Sequence, residues 1–185
     1  MRVISGKLRG KKLEMLKEGA VRPTTDKVKE SIFNVIQFDV VDAIFLDLFA
    51  GSGQMGIEAL SRGAKGATFV DKNRSSIDIV RKNLISTRLF ESAEVAQKDA
   101  ISFLTQTQKR FDIAFLDPPY KTGLLQEVLG LVVDVMSKSG IIICEHPVEE
   151  ILPASIKNFS VSKSYRYGKI KLTVYKKMCL ASGNF

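Results

Sequence analysis

Apolar residues follow two spacings along this chain. Short unbroken or nearly unbroken runs at 44–48, 67–70, 111–116 and 141–144 have the length and composition of strands buried on both faces. Between them lie stripes at helical spacing: Val28, Ile32, Val35 and Ile36; Ile77, Val80 and Leu84; Leu125, Val128, Leu129, Val132 and Met136. Ile57 to Leu60 opens one more helix directly after the first run. A short strand at 94–98 leads into a helix at 100–104. Gly140 is expected just ahead of the run at 141–144. Strands alternating with helices predict an α/β protein with a parallel, doubly covered sheet. The last two strands, 159–167 and 170–177, abut through Gly168-Lys169 with no room for a crossover helix, so they predict an antiparallel hairpin. Residues 2–13 are too short and too punctuated by Gly6 and Gly10 for a helix, and predict a small ribbon.

The first run ends in Asp47-Leu48-Phe49-Ala50-Gly51-Ser52-Gly53-Gln54-Met55-Gly56. Glycines there allow positive φ and close backbone approach, and the next helix turns its free N–H groups toward whatever sits above the turn. The pattern Gly51-x-Gly53-x-x-Gly56 fits a dinucleotide cradle as well as any other, or a turn that binds nothing. Asp71 ends the second run, roughly 20 residues beyond the turn, where a carboxylate can accept hydrogen bonds from ribose hydroxyls. The stretch from Asp47 to Gly53 also resembles motif I of class I S-adenosylmethionine (AdoMet) methyltransferases. That resemblance implies cofactor contacts at Asp47, Phe49, Ala50, Gly51, Ser52, Gly53 and Gly56, at Asp71 with Lys72, and at Asp99 with Ala100. Asp99 comes after the third strand, where it suits either an adenine acceptor or the N-cap of the next helix.

The run at 111–116 passes directly into Asp117-Pro118-Pro119-Tyr120. Two prolines remove two backbone donors and fix φ twice, so a central strand must stop. The chain there forms a rigid corner carrying a carboxylate and an aromatic ring.

Charge adds a partner to this picture. The net charge is +8, and it is unevenly placed. Residues 1–30 hold nine Lys/Arg and four Asp/Glu, residues 157–177 hold seven and none, and the rest of the chain is mildly acidic. Basic ends around an acidic middle point to a polyanionic partner, or to a face charged for solubility. The helical stripe at 28–36 places Lys27 and Lys29 off the packed face. With Arg2, Arg9, Lys11, Lys12 and Arg22 they form the expected RNA-contacting set, Arg22 serving either as a base-proximal contact or as an anchor of the arm. Two cysteines, Cys144 and Cys179, form no metal-ligand pattern and fit a reducing compartment. His146, the only histidine, has no partner at ligand spacing and reads as structural, so no metal is expected. With no export signal and no long apolar run, a cytoplasmic monomer without membrane contact is expected.

Asp117-Pro118-Pro119-Tyr120 fits the (D/N/S)-P-P-(Y/F/W) motif of methyltransferases acting on exocyclic amino groups. Arg2-Val3-Ile4-Ser5-Gly6 with Arg9-Gly10, Arg22-Pro23-Thr24 with Asp26 and Glu30, and the stretches 47–56 and 58–64 narrow the resemblance. Together with Tyr167-Gly168 and Tyr175, they resemble the bacterial 16S ribosomal RNA guanine-N2 methyltransferase family (RsmD type). Lys27 and Lys29 stand where the family more often has Arg, and Gln54 where it has a small or aliphatic residue. The resemblance implies a Rossmann-like class I methyltransferase sheet, mostly parallel with a C-terminal antiparallel hairpin, and a small basic N-terminal arm. The parts are an arm at 1–40, a catalytic domain at 41–178 and a tail at 179–185. It further implies AdoMet as cofactor, and methyl transfer to N2 of one guanine, position 966 in the usual 16S numbering, with the 30S subunit or its assembly intermediate as substrate. Asp117, Pro118, Pro119 and Tyr120 are then the catalytic residues. Adenine-N6 or cytosine-N4 methylation is the nearest competitor. A nicotinamide-dependent oxidoreductase leaves the Pro-Pro corner without a role, and a noncatalytic RNA-binding module leaves the cradle idle.

Overall fold

The computed structural model of this 185-residue chain describes residues 1–16 and 26–178. Arg22, Pro23, Thr24, Cys179 and the tail all lie outside the described residues. Eight strands form one sheet in the order β3-β2-β1-β4-β5-β8-β7-β6. They are β1 Ile44–Asp47, β2 Gly66–Asp71, β3 Ala93–Gln97, β4 Phe111–Leu116, β5 Met136–Pro147, β6 Ser155–Ile156, β7 Phe159–Tyr167 and β8 Ile170–Lys177. β1 to β5 pair in parallel; β7 and β8 pair antiparallel, as the hairpin spacing predicts, and β8 joins β5 antiparallel.

Helices α1 Asp26–Val35, α2 Gln54–Ser61, α3 Arg74–Thr87, α4 Ala100–Gln106 and α5 Leu124–Val132 cover the two faces. Phe33, Ile57, Val80 and Leu84 pack with Phe45, Phe69, Ile113 and Ile143 on one side. Leu104, Val128 and Leu129 pack with Leu46, Ala114, Ile142 and Cys144 on the other. Alternate residues of each strand supply the two layers, which is why the strands read as unbroken apolar runs.

Two boundaries differ from expectation. Met136 is the first residue of β5 and not the last of the helical stripe, because α5 tightens into a 3₁₀ turn at Val133–Val135 and ends there. Gly140 lies within β5: pairing with β4 jumps from Met136 to Ile141, so 137–140 form an irregularity that the sequence presents as a strand start.

The arm is fastened by buried polar side chains on the helices beneath it. Ile4 N–H and Ser5 N–H donate to the two oxygens of Glu58 at 2.8 and 2.9 Å. Asn83 of α3 exchanges hydrogen bonds with the backbone of Glu14 and donates to the carbonyl of Ser52. Val3 and Leu13 complete the seam within the same core cluster as the sheet. The ribbon closes on itself at the bridge between Arg2 and Lys12 and through backbone bonds such as Val3 N–H to the Lys11 carbonyl, but a two-stranded piece this short could not hold its shape alone.

Lys29 corrects the sequence reading. Its side chain is fully buried: its ammonium donates to the carbonyl of Arg2 at 2.7 Å and lies 3.7 Å from Glu58. It therefore fixes the arm to α2 and contacts no solvent. The helical stripe misplaced it because the arm covers a second face of α1, which periodicity within the helix does not register.

Candidate active site

The carboxyl ends of the parallel strands open into a cleft of about 430 Å³. This is the edge at which ligands of open α/β sheets bind. One end is formed by the turn after β1 and by the end of β2; the other is formed by the corner after β4.

At the first end, Phe49, Gly51, Asp71 and Lys72 reach the cleft wall. Gly51 and Gly53 have φ of +54° and +78°, the left-handed region that L side chains rarely adopt. A Cβ added at Gly51 would meet no protein atom within 4 Å and would point into open space. Asp71 orders this turn: Oδ2 accepts from Gly51 N–H at 2.9 Å and Oδ1 from Asn73 N–H at 2.8 Å. A carboxylate has about four acceptor sites, so these bonds leave capacity for a ribose.

Asp47, Ala50, Ser52, Gly53 and Gly56, expected from sequence to contact the cofactor, do not line the cleft. They shape it from beneath. Gly56 is required by close approach, since a Cβ there would fall 2.3 Å from the ring of Phe69. Asp47 is buried and accepts from Gly56 N–H at 3.0 Å. Burial raises its pKa to about 7, against the opposing hydrogen bond from Gly56 and with a further push from Asp71. Gln54 is buried, and its side-chain oxygen has no hydrogen-bond partner among the described residues.

Asp99 and Ala100 line the middle of the cleft with Lys98 and Ile101. Of the two roles the sequence offers Asp99, the structure shows the helix cap. Its Oδ1 caps α4 by accepting from Ser102 N–H at 2.9 Å, a bond that lowers its pKa, and the residue still borders the cleft.

Asp117, Pro118, Pro119 and Tyr120 form the far wall, together with Leu124. Tyr120 is exposed, whereas Asp117 is only partly accessible. Burial raises the Asp117 pKa well above the usual carboxylate range, and the charges of Glu145 and Asp47 push the same way. Glu145 is the residue that sequence reasoning missed. It is 3% exposed on β5, and Tyr120 Oη donates to its Oε1 at 3.4 Å. A lone acid closing an apolar run was the signal that could have found it, the same one that marked Asp47 and Asp71. Lys98, Asn73 and Leu124 are further cleft residues that carried no sequence signal.

His146 is buried, its ring nitrogens bonded to the carbonyl of Pro147 and the hydroxyl of Thr173. Among the described residues no cluster of His, Cys, Asp or Glu could hold a metal, and no helix is long and apolar enough to cross a membrane. The expected RNA contacts divide. Arg2, Arg9 and Lys27 gather around a groove of about 300 Å³ between the ribbon and α1, while Lys11 and Lys12 are exposed outside it.

Comparison with known proteins gives the cleft its relatives. Residues 1–176 match the family model described as Conserved hypothetical protein 95. The Bacillus subtilis protein YlbH is 42% identical over 182 residues, covering 96% of this chain and 99% of its own length. Ribosomal RNA small subunit methyltransferase D of Escherichia coli is 38% identical over 179 residues, covering 96% of this chain and 90% of its own. The solved structure of Escherichia coli yhhF superposes with a TM-score of 0.87 at 38% identity, over 96% of this chain and 97% of that one. Matched over nearly its whole length, with the glycine turn and the Pro-Pro corner facing one cleft, the chain belongs to the Conserved hypothetical protein 95 family, which includes the ribosomal RNA small subunit methyltransferase D proteins.

Proposed function

We propose that this protein transfers a methyl group from AdoMet to the exocyclic N2 of a guanine in small-subunit ribosomal RNA, position 966 in the usual numbering. The observation that carries the reading is the single cleft, with the glycine turn and Asp71 at one end and Asp117 to Tyr120 at the other. Its volume suits a nucleoside-sized ligand. The open space above Gly51 suits a group lying against backbone, and Asp71 and Asp99, both on the cleft wall, would accept from a ribose and an adenine amine. Phe49, Gly51, Asp71, Lys72, Asp99 and Ala100 would hold the cofactor. Bound there, AdoMet supplies an electrophilic methyl on its sulfonium.

Guanine N2 is a poor nucleophile because its lone pair is delocalised into the ring. Asp117 and the Pro118 carbonyl would each accept one N2–H, turning the lone pair out of the ring plane toward the cofactor end of the cleft. Base donation to Asp117 favours its ionised form and opposes the raised pKa that burial imposes. Tyr120, exposed at the mouth and tethered to Glu145, would stack on the extruded base. Asp117 or water takes the proton that N2 loses. Most of the acceleration then comes from holding two bound reactants in register.

The test is to incubate the protein with tritiated AdoMet and 30S particles lacking the modification, then map the label. Label at N2 of one guanine supports the reading. Label at an adenine N6 or cytosine N4 transfers the chemistry to another base, and no label with any RNA sinks it.

A further inference from the structure

The second basic cluster of the chain lies in the hairpin β7–β8, and its register fixes where its tip must be. β8 runs antiparallel to β5, with Glu145 opposite Leu172, His146 opposite Lys171 and Pro147 opposite Ile170. The turn at Gly168-Lys169 therefore projects from the same sheet edge as the cleft. Val148 N–H, just past β5, donates to the Lys169 carbonyl at 3.1 Å and holds the tip there. Tyr120, at the cleft mouth, bonds to Glu145, and Lys171 lies one strand over and one residue further along.

Arg166 and Lys171 face each other across β7 and β8. Like charges directly opposite on paired strands repel, with Cβ atoms about 5 Å apart. No carboxylate among the described residues forms a salt bridge with Arg166, Lys169 or Lys171. By contrast, Lys157 and Lys176, also within the basic segment 157–177, pair with Asp134 and Asp39. The Arg166 guanidinium is held toward the tip by its Nε–H bond to the Gly168 carbonyl at 3.1 Å. The fold thus keeps an unneutralised cluster of cations at the cleft edge, at some cost in repulsion; Lys163 and Lys177 also form no salt bridge among the described residues, but they lie opposite Val174 and Phe159 and not opposite another cation. An anion relieves that repulsion.

We propose that Arg166, Lys169 and Lys171 form a phosphate clamp for the RNA strand entering the cleft, gripping the backbone beside the target base. This rests on the rRNA methyltransferase reading above. The clamp supplies register and not sequence readout, because phosphates carry no base identity. Arg166 provides a planar fork for phosphate oxygens and the two lysines provide point charges.

The test uses the full chain, an unmodified small-subunit rRNA transcript and a triple variant, Arg166→Gln, Lys169→Gln and Lys171→Gln. Binding is measured across a salt series. The slope of log affinity against log salt should become shallower by about 2 to 3 units, since each neutralised phosphate contributes roughly 0.7 to 0.9. AdoMet affinity should be unchanged, and the thermal midpoint should not fall, since neutralisation removes the repulsion. Lys169→Arg with Lys171→Arg should keep the full slope, and Lys177→Gln, at the opposite sheet edge on the same strand, should leave it intact. A wild-type slope in the triple variant overturns the clamp alone. An equal loss from Lys177→Gln overturns its assignment to the cleft edge. A wild-type protein that binds no rRNA overturns the clamp together with the reading beneath it.

Discussion

Three acids approach one another at the cleft: Asp47 beneath the turn, Asp117 at the corner and Glu145 on β5. Their burial and mutual charge set testable pH dependences. Burial raises the Asp117 pKa and Glu145 adds to the effect, so methyl transfer should rise with pH as Asp117 ionises. Asp117→Ala should retain AdoMet binding and lower turnover by roughly 10² or more, by analogy with loss of one preorganised polar group. In Glu145→Gln the inflection of the pH–rate profile should move to lower pH; an unmoved inflection removes Glu145 from any influence on Asp117. Asp47 affects stability. With its pKa raised from 3.8 to about 7, the folded state binds more protons than the unfolded state between those values. Its contribution therefore falls as pH rises from about 4 to about 7, by on the order of 1.4 kcal/mol per pH unit. Asp47→Asn cannot ionise and should flatten that part of a stability–pH curve measured by urea unfolding. Gln54→Leu removes a buried acceptor without a partner and should raise stability by roughly 1 to 3 kcal/mol.

Among the elements, α1 and the ribbon are fastened by charge as well as by apolar packing. Glu58 accepts from two arm N–H groups, pairs with Lys29, and receives Arg62 Nε at 2.9 Å. Arg62 in turn lies over the ring of Phe33 at 4.7 Å. A buried ion pair is seldom a large net gain over an apolar replacement, but removing one partner strands the other. Glu58→Ala should cost roughly 3 to 5 kcal/mol in denaturant unfolding and loosen the arm, seen as faster amide exchange at Ile4 and Ser5. Lys29→Met, which leaves Glu58 with Arg62 and both N–H groups, should cost distinctly less. Equal losses would mean that Lys29 alone carries the attachment.

For the whole molecule, positive charge is divided between the arm and the hairpin, with the cleft between them in sequence. Arg9, Lys11 and Lys12 are exposed, and they precede the cradle in the chain. Neutralising all three should make the salt dependence of rRNA binding shallower by about 2 to 3 units and leave AdoMet affinity unchanged. An unaltered slope would assign these charges to solubility. Where the arm and the hairpin neutralise separate phosphates, their two slope losses should add.

The sheet and its cleft were legible in the order of residues alone. Buried parallel strands announce themselves as apolar runs, a glycine turn declares positive φ, and two prolines end a strand wherever they occur. These are local signals, readable without knowing what packs where. The hairpin was equally local, since two residues between strands admit no crossover. Folding settled whatever depends on a second surface. Lys29 reads as a solvent-facing lysine until the ribbon folds over α1, and Glu58 reads as a family motif residue until the arm's N–H groups reach it. Gly140 marks a strand start in sequence but an irregularity within β5 in space, because pairing with β4 resumes at Ile141. Glu145 gained its relation to Asp117 and Tyr120 only when β4 and β5 were laid side by side. Periodicity reports one element's own packed face; partners brought together from distant segments leave no period to read.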